Sequence, residues 1–139
     1  MLVYLTGKNK EMAHHRTFHN AYSFARDVDD AECRKIICED FLCGHYVDEV
    51  QDLIKLMLQK SRLDADVVIT EKDLHSISRQ VYRGSADLIT LNKAVFNDKT
   101  AVKSMLSMEL VESFIPDGFE VKSKEYGPVG FTITLKRAR

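Results

Sequence analysis

The chain is poor in the residues that mark special environments. It has two prolines and six glycines in 139 residues. That leaves no Pro- or Gly-rich tract, no repeat and no linker between domains. Three cysteines, Cys33, Cys38 and Cys43, are an odd number and form no CxxC pair. They cannot all be joined within the chain, and reduced thiols are expected. No apolar run approaches the roughly 20 residues that a membrane span requires. Met1-Leu2-Val3-Tyr4-Leu5 is too short for a signal peptide and has no basic region before it. An excess of either charge is also missing: 20 Lys and Arg stand against 21 Asp and Glu. Such a balance gives no reason to expect nucleic acid or a membrane surface as the partner. A cytoplasmic protein is expected. No P-loop, GxSxG, HExxH or dinucleotide fingerprint occurs.

What remains is an ordinary globular composition, 45% hydrophobic and 29% charged, in a chain long enough for one domain with a real core. Its most informative stretch is a βαβ unit. Arg34-Lys35-Ile36-Ile37-Cys38-Glu39-Asp40 reads as an apolar strand with an acidic end. A helix over 48–62 follows, with Val50, Leu53, Ile54, Met57 and Leu58 at the i, i+3, i+4 spacing of a buried stripe. Asp48 is its expected cap, with Gln51 as reciprocal partner. Lys60 and Arg62 suit the negative end of its dipole. Asp66-Val67-Val68-Ile69-Thr70-Glu71-Lys72-Asp73 is the second strand, β-branched at its centre as a covered parallel strand should be. In parallel sheets ligands collect beyond the carboxyl ends of the strands. Those ends carry Glu39, Asp40, Glu71 and Asp73, which either line a polar pocket or cap the helices that follow.

Elsewhere the signals are local. Leu2 to Thr6, closed by Gly7, reads as a buried strand. Residues 8–18 read as helical or irregular, and 20–25 as weakly extended. Thr70 is the expected cap of a helix with Leu74, Ile77 and Val81, stopped at Gly84. Further amphipathic stretches begin at Ser85, Asp98 and Ser107. Pro116-Asp117-Gly118 is a turn signal. The alternation over 119–124 and 129–135, around Tyr126-Gly127-Pro128, predicts a terminal antiparallel hairpin. The predicted fold is an α/β three-layer sandwich: a Rossmann-like, mostly parallel sheet with a C-terminal antiparallel β-hairpin.

This order resembles the C-terminal half of class I S-adenosylmethionine-dependent methyltransferases. The 29–42 segment, Asp29-Asp30-Ala31-Glu32-Cys33-Arg34-Lys35-Ile36-Ile37-Cys38-Glu39-Asp40-Phe41-Leu42, looks like that family's fourth-strand segment. The helix, basic loop and acid-ended strand over 56–73 look like the next part. Gly118-Phe119-Glu120-Val121 looks like the late Gly-Phe turn into the hairpin. The resemblance covers about residues 20–139 and is nearest to small methyltransferase-like proteins of bacteria and their viruses. It implies a glycine-rich loop after the first strand and an acid at the end of the second, to hold the cofactor's ribose. Here Leu5-Thr6-Gly7-Lys8-Asn9-Lys10 has one glycine, and no acid-ended strand is visible between Gly7 and Asn20. The first βαβαβ half would take about 60 residues or more, at about 30 per βαβ unit, and only about 30 precede the Ile36 strand.

The expectation is a degenerate methyltransferase-like protein, truncated in its cofactor half. It would be non-catalytic, hold no cofactor, and act through a protein partner or by self-association. The alternative is a small S-adenosylmethionine-dependent methyltransferase acting on a sugar or other small molecule. Gly7 would then lie by the cofactor, with Glu39, Asp40 and Glu71 around the pocket. His14, His15 and His19 are a third candidate: on a helix, His15 and His19 would share a face as a metal pair requires, and otherwise they are solvated histidines. Cys38 with His45 is open to a nucleophile reading but suits a buried thiol better. The basic hairpin, with Lys122, Lys124, Lys136, Arg137 and Arg139, reads as a solvated edge that discourages aggregation. Only Tyr126 there offers a base-stacking ring.

Overall fold

The computed structural model describes all residues except 86 and 97–101. Its elements are β1 (Leu2–Thr6), β2 (Arg16–Phe18), α1 (Ala21–Asp27), β3 (Cys33–Glu39), a 3-10 turn (Leu42–Gly44), α2 (Val47–Lys60), β4 (Ser61–Lys72), α3 (Leu74–Arg83), α4 (Leu88–Phe96), α5 (Met108–Ser113), β5 (Phe119–Tyr126) and β6 (Gly130–Arg137). The six strands form one sheet in the order β2-β1-β3-β4-β6-β5. Strands β2, β1, β3 and β4 run parallel, while β6 and β5 are antiparallel additions. The expected βαβ unit is present: Ile36 lies opposite Val67 and Ile37 opposite Val68. Val3 lies opposite Ile36, so β1 is the third parallel strand of the core.

Strand parity divides the sheet. Val3, Ile36, Val67 and Leu135 form one row across it, and Leu5, Cys38, Ile69 and Ile133 form the next. Both rows are buried in one hydrophobic cluster with Phe24 and Val28 near α1, Val50, Ile54 and Met57 of α2, and Met108 and Val111 of α5. The opposite face carries Tyr4, Ile37, Val68 and Thr134 in register. Ile37 and Val68 there are only half-buried. Tyr4 is buried, and its hydroxyl donates to Glu39 at 3.2 Å. Lys10, from the nine-residue link 7–15 between β1 and β2, reaches the same carboxylate at 3.8 Å.

Several local expectations are corrected. The 8–18 stretch contains β2, which pairs with β1 through Val3–Arg16 and Leu5–Phe18. Three residues are too few to show alternation. The 20–25 stretch is helical because the Asn20 side chain caps α1, accepting the Ser23 N–H at 2.8 Å. Helix α2 starts one residue earlier than expected, with Glu49 rather than Gln51 reaching back to the Tyr46 N–H at 3.1 Å. It also ends sooner, so Arg62 belongs to β4. Lys60 folds inward to Asp30 at 3.0 Å. Thr70 stays in the strand, and Asp73 caps α3 instead. The helix expected from Asp98 begins outside the described residues.

Other signals hold as read. Gly84 ends α3 with φ of 64°, the left-handed conformation glycine permits. Ser107 caps α5, accepting the Leu110 N–H at 3.2 Å. The hairpin follows its turn.

Candidate functional site

The carboxyl ends of β1, β2, β3 and β4 form one rim of the sheet. Four acids were expected there, and the structure gives each a different task. Glu39 turns to the Tyr4 face. Asp40 follows with φ of 48°, and its backbone bridges two strands: its N–H donates to Thr70 O at 2.9 Å and its carbonyl accepts from Gly7 at 3.2 Å. Its carboxylate meets Lys8 at 2.9 Å and Lys72 at 3.7 Å. Asp73 is fully buried. It accepts the Ser76 N–H and hydroxyl, each at 2.8 Å, and the Met108 N–H at 2.9 Å.

Glu71 is 1% exposed and lines neither of the two hollows described below. Its carboxylate accepts three backbone N–H groups from the turn after β3: Phe41 at 2.9 Å, Leu42 at 3.3 Å and Cys43 at 3.0 Å. Burial, and then the negative charge of Asp40, push its pKa up to about 7 against the pull of those three bonds. Glu71 therefore acts on the backbone, fixing the turn that walls the rim.

Two hollows flank that turn. The first is an open depression beside Gly7, lined also by His19, Asn20, Phe41, Gly44, His45 and Lys103. His19 donates from Nδ1 to Thr6 O at 3.1 Å, and His45 from Nδ1 to Phe41 O at 3.0 Å. A carbonyl only accepts, so both rings keep Nε2 as an acceptor when neutral. The Lys103 ammonium lies 5.0 Å over the Tyr46 ring. Among the described residues, no carboxylate lines this hollow. The second, a narrow crevice, has Lys8, Asp40 and Lys72 on one side and Val95, Val102, Met105 and Leu106 on the other. Cys43 and Ser104 complete it.

Of the expected site residues, then, Gly7 faces the first hollow and Asp40 the second, while Glu39 and Glu71 face neither. The histidines are separated as well. His15 precedes β2, bonding Ala13 O at 2.9 Å, and His19 follows it, so no helix pairs them. Among the described residues, no group of three or more His, Cys, Asp and Glu side chains is placed to hold a metal. Cys38 is fully buried and burial raises its pKa, as for a packed thiol. Sequence reasoning missed His19, Asn20 and Lys103 as rim residues. Recognising β2 beside β1 would have placed the first two.

No protein-family model matches the chain, and no curated protein matches it. Solved structures do. Magnesium protoporphyrin IX methyltransferase from Synechocystis, with bound SAH, aligns at a TM-score of 0.57 and 11% identity over 91% of this chain and 54% of its own. An O-methyltransferase family protein from Burkholderia thailandensis aligns at 0.62 and 11% identity, over 89% of this chain and 36% of its own. A SAM-dependent methyltransferase from Archaeoglobus fulgidus aligns at 0.56 and 12% identity, over 89% and 68%. The chain has the fold of the S-adenosylmethionine-dependent methyltransferases. It spans about half the length of several of the solved chains it matches. In this methyltransferase fold the first hollow lies at the ends of β1 and β2, and the second under α4.

Proposed function

We propose that this chain is a degenerate, methyltransferase-fold protein that works by binding, through a protein partner or a second copy, rather than by methyl transfer. The end of β2 carries the reading. The resemblance implies an acid there, to hold the ribose of S-adenosylmethionine. The strand runs instead into His19 and Asn20. Asn20 spends its side-chain oxygen on the α1 cap, and His19 spends Nδ1–H on Thr6. Among the described residues, the hollow beside Gly7 is lined by two histidines and a lysine without a carboxylate. S-adenosylmethionine carries a sulfonium and an ammonium besides its carboxylate, and among the described residues this hollow offers no carboxylate to pair with either cation or to hold the ribose. The nine-residue link from β1 to β2 also contains no helix.

The second reading is a small methyltransferase acting on a sugar or other small molecule. What favours it is that the two hollows adjoin one turn, with Gly7 beside the first. A thermal melt of the intact chain with millimolar S-adenosylmethionine separates the two. A ligand at 100 times its Kd stabilises the native state by about 2.7 kcal/mol. An unchanged melting temperature is expected, and a saturable rise would transfer the case to the second reading.

A further inference from the structure

Helix α4 is apolar on both its inner and its outer side. It buries Leu91 and half-buries Ala94 and Val95, an inner stripe at i, i+3, i+4. Its outward stripe should be polar. It consists of Leu88, Ile89, Asn92, Lys93 and Phe96, all exposed, with Ile89 at 70%, Leu88 at 62% and Phe96 at 57%. The end of α3 just before it exposes Val81, and Tyr82 at 92%. Scattered exposed apolar residues are normal, but five large ones on two consecutive short helices are more than scatter.

Charge says what kind. Arg79, Arg83 and Lys93 are exposed in the same two helices and make no ion pair among the described residues. Among the described residues of 74–96, Asp87 is the only acid. Its carboxylate is occupied as a helix cap, accepting the Thr90 N–H at 2.8 Å and hydroxyl at 3.1 Å. The chain as a whole carries a formal charge of -1, so this is a local concentration that the total conceals. A second copy docking here through the same face would set three cations against three cations. An anionic surface would complement them.

We propose that the outer face of α3 and α4 docks on an anionic lipid surface. Leu88, Ile89 and Phe96 enter the boundary between headgroups and acyl chains, Tyr82 lies at headgroup level, and Arg79, Arg83 and Lys93 meet the phosphates. The docking is peripheral, since no helix among the described residues is long and apolar enough to cross a membrane. It is independent of any ligand in the hollow beside Gly7.

The test is co-sedimentation of the full chain with vesicles of phosphatidylcholine alone or mixed with phosphatidylglycerol. Binding is expected to the mixed vesicles, not to phosphatidylcholine alone, and to weaken as salt rises. The double variant Leu88→Ser, Ile89→Ser should bind at least about tenfold more weakly, because its apolar insertion is gone. Arg83→Glu with Lys93→Glu should lose the preference for the anionic lipid. All four side chains are exposed, so unchanged thermal melts will show that the fold survives. No binding to mixed vesicles at low salt would overturn the proposal. So would binding that the serine variant retains, or a dimer in solution that the serine variant dissociates while lipid binding stays absent.

Discussion

The carboxylate of Glu71 lies 2.9 Å from the backbone nitrogen of Phe41, thirty residues earlier in the chain. Through this bond and its companions to Leu42 and Cys43, β4 holds the turn after β3. That turn supplies Phe41 and Gly44 to one hollow and Cys43 to the other. An acid that looks like a ligand-binding group in sequence is thus the brace on which the site's shape depends. Glu71→Ala leaves three buried N–H donors without their acceptor. A loss of about 3 kcal/mol or more is expected, since each buried donor left unmet costs about 1–3 kcal/mol. Urea denaturation measures it. A loss below 1 kcal/mol would mean that water replaces the carboxylate freely.

The same group gives stability a pH dependence with a definite sign. Glu71 titrates near 7 in the folded chain and near 4.5 when free. Between those values the folded state holds the proton that the unfolded state has released. Stability therefore falls as pH rises from about 4.5 to about 7, with a slope approaching 1.4 kcal/mol per pH unit. Asp27 and Asp30 act the other way and at lower pH. Their bonds to Arg26 and to Gln59 and Lys60 lower their pKa values, so their contribution is lost only in acid. Glu71→Gln does not titrate and should flatten the upper window while leaving the acid limb in place. A wild-type curve flat from pH 5 to 7 would contradict this.

Much of the fold was legible because periodicity spans whole elements. The stripe of α2, the β-branched centre of β4 and the alternation of β6 each repeat enough times to be read. Strand β2 was not legible: Arg16-Thr17-Phe18 shows one buried residue, and only its pairing with β1 makes it a strand. Helix α1 likewise buries Phe24 alone. The roles of the rim acids were hidden for a different reason. Whether Glu71 faces a ligand or a backbone turn depends on contacts across about thirty residues, which no local pattern encodes. The stretch from Ser85 reads as one amphipathic stripe of Leu88, Leu91 and Val95; Leu91 and Val95 do face inward, but Leu88 is exposed beside Ile89 and Phe96, which only tertiary packing decides.

Strand packing around Glu71 makes Gly130 a second sensitive position. Gly130 sits opposite Lys72, and a Cβ added to it would stand 2.8 Å from the Glu71 carbonyl oxygen. That neighbour is backbone of the paired strand β4, at the end of its ladder with β6, and not the far end of a side chain that could swing aside. Gly130→Ala should cost about 1–3 kcal/mol, the range for forced overpacking. Gly127, at the other side of the hairpin turn, has only Gly130 O at 3.7 Å from the same added atom. Gly127→Ala should be nearly neutral. Urea midpoints of the two variants provide the comparison, and equal losses would show that the ladder accommodates the methyl group.

The three thiols give a prediction about access. Cys33, Cys38 and Cys43 are all free and all buried. Burial raises the thiol pKa in each, to about 11 at Cys33. At Cys43 the nearby Glu71 charge adds to the effect. Thiolate is the reactive form, so high pKa and low exposure act together against reaction. Dithiobis(nitrobenzoate) at pH 8 should find no fast thiol in the native chain and three after denaturation. Slow native reaction should follow local opening, and Cys43 is the expected first site because it lines the second hollow. One equivalent of rapid native reaction would instead mean that the turn held by Glu71 opens readily, and the Cys43→Ser variant would identify the thiol responsible.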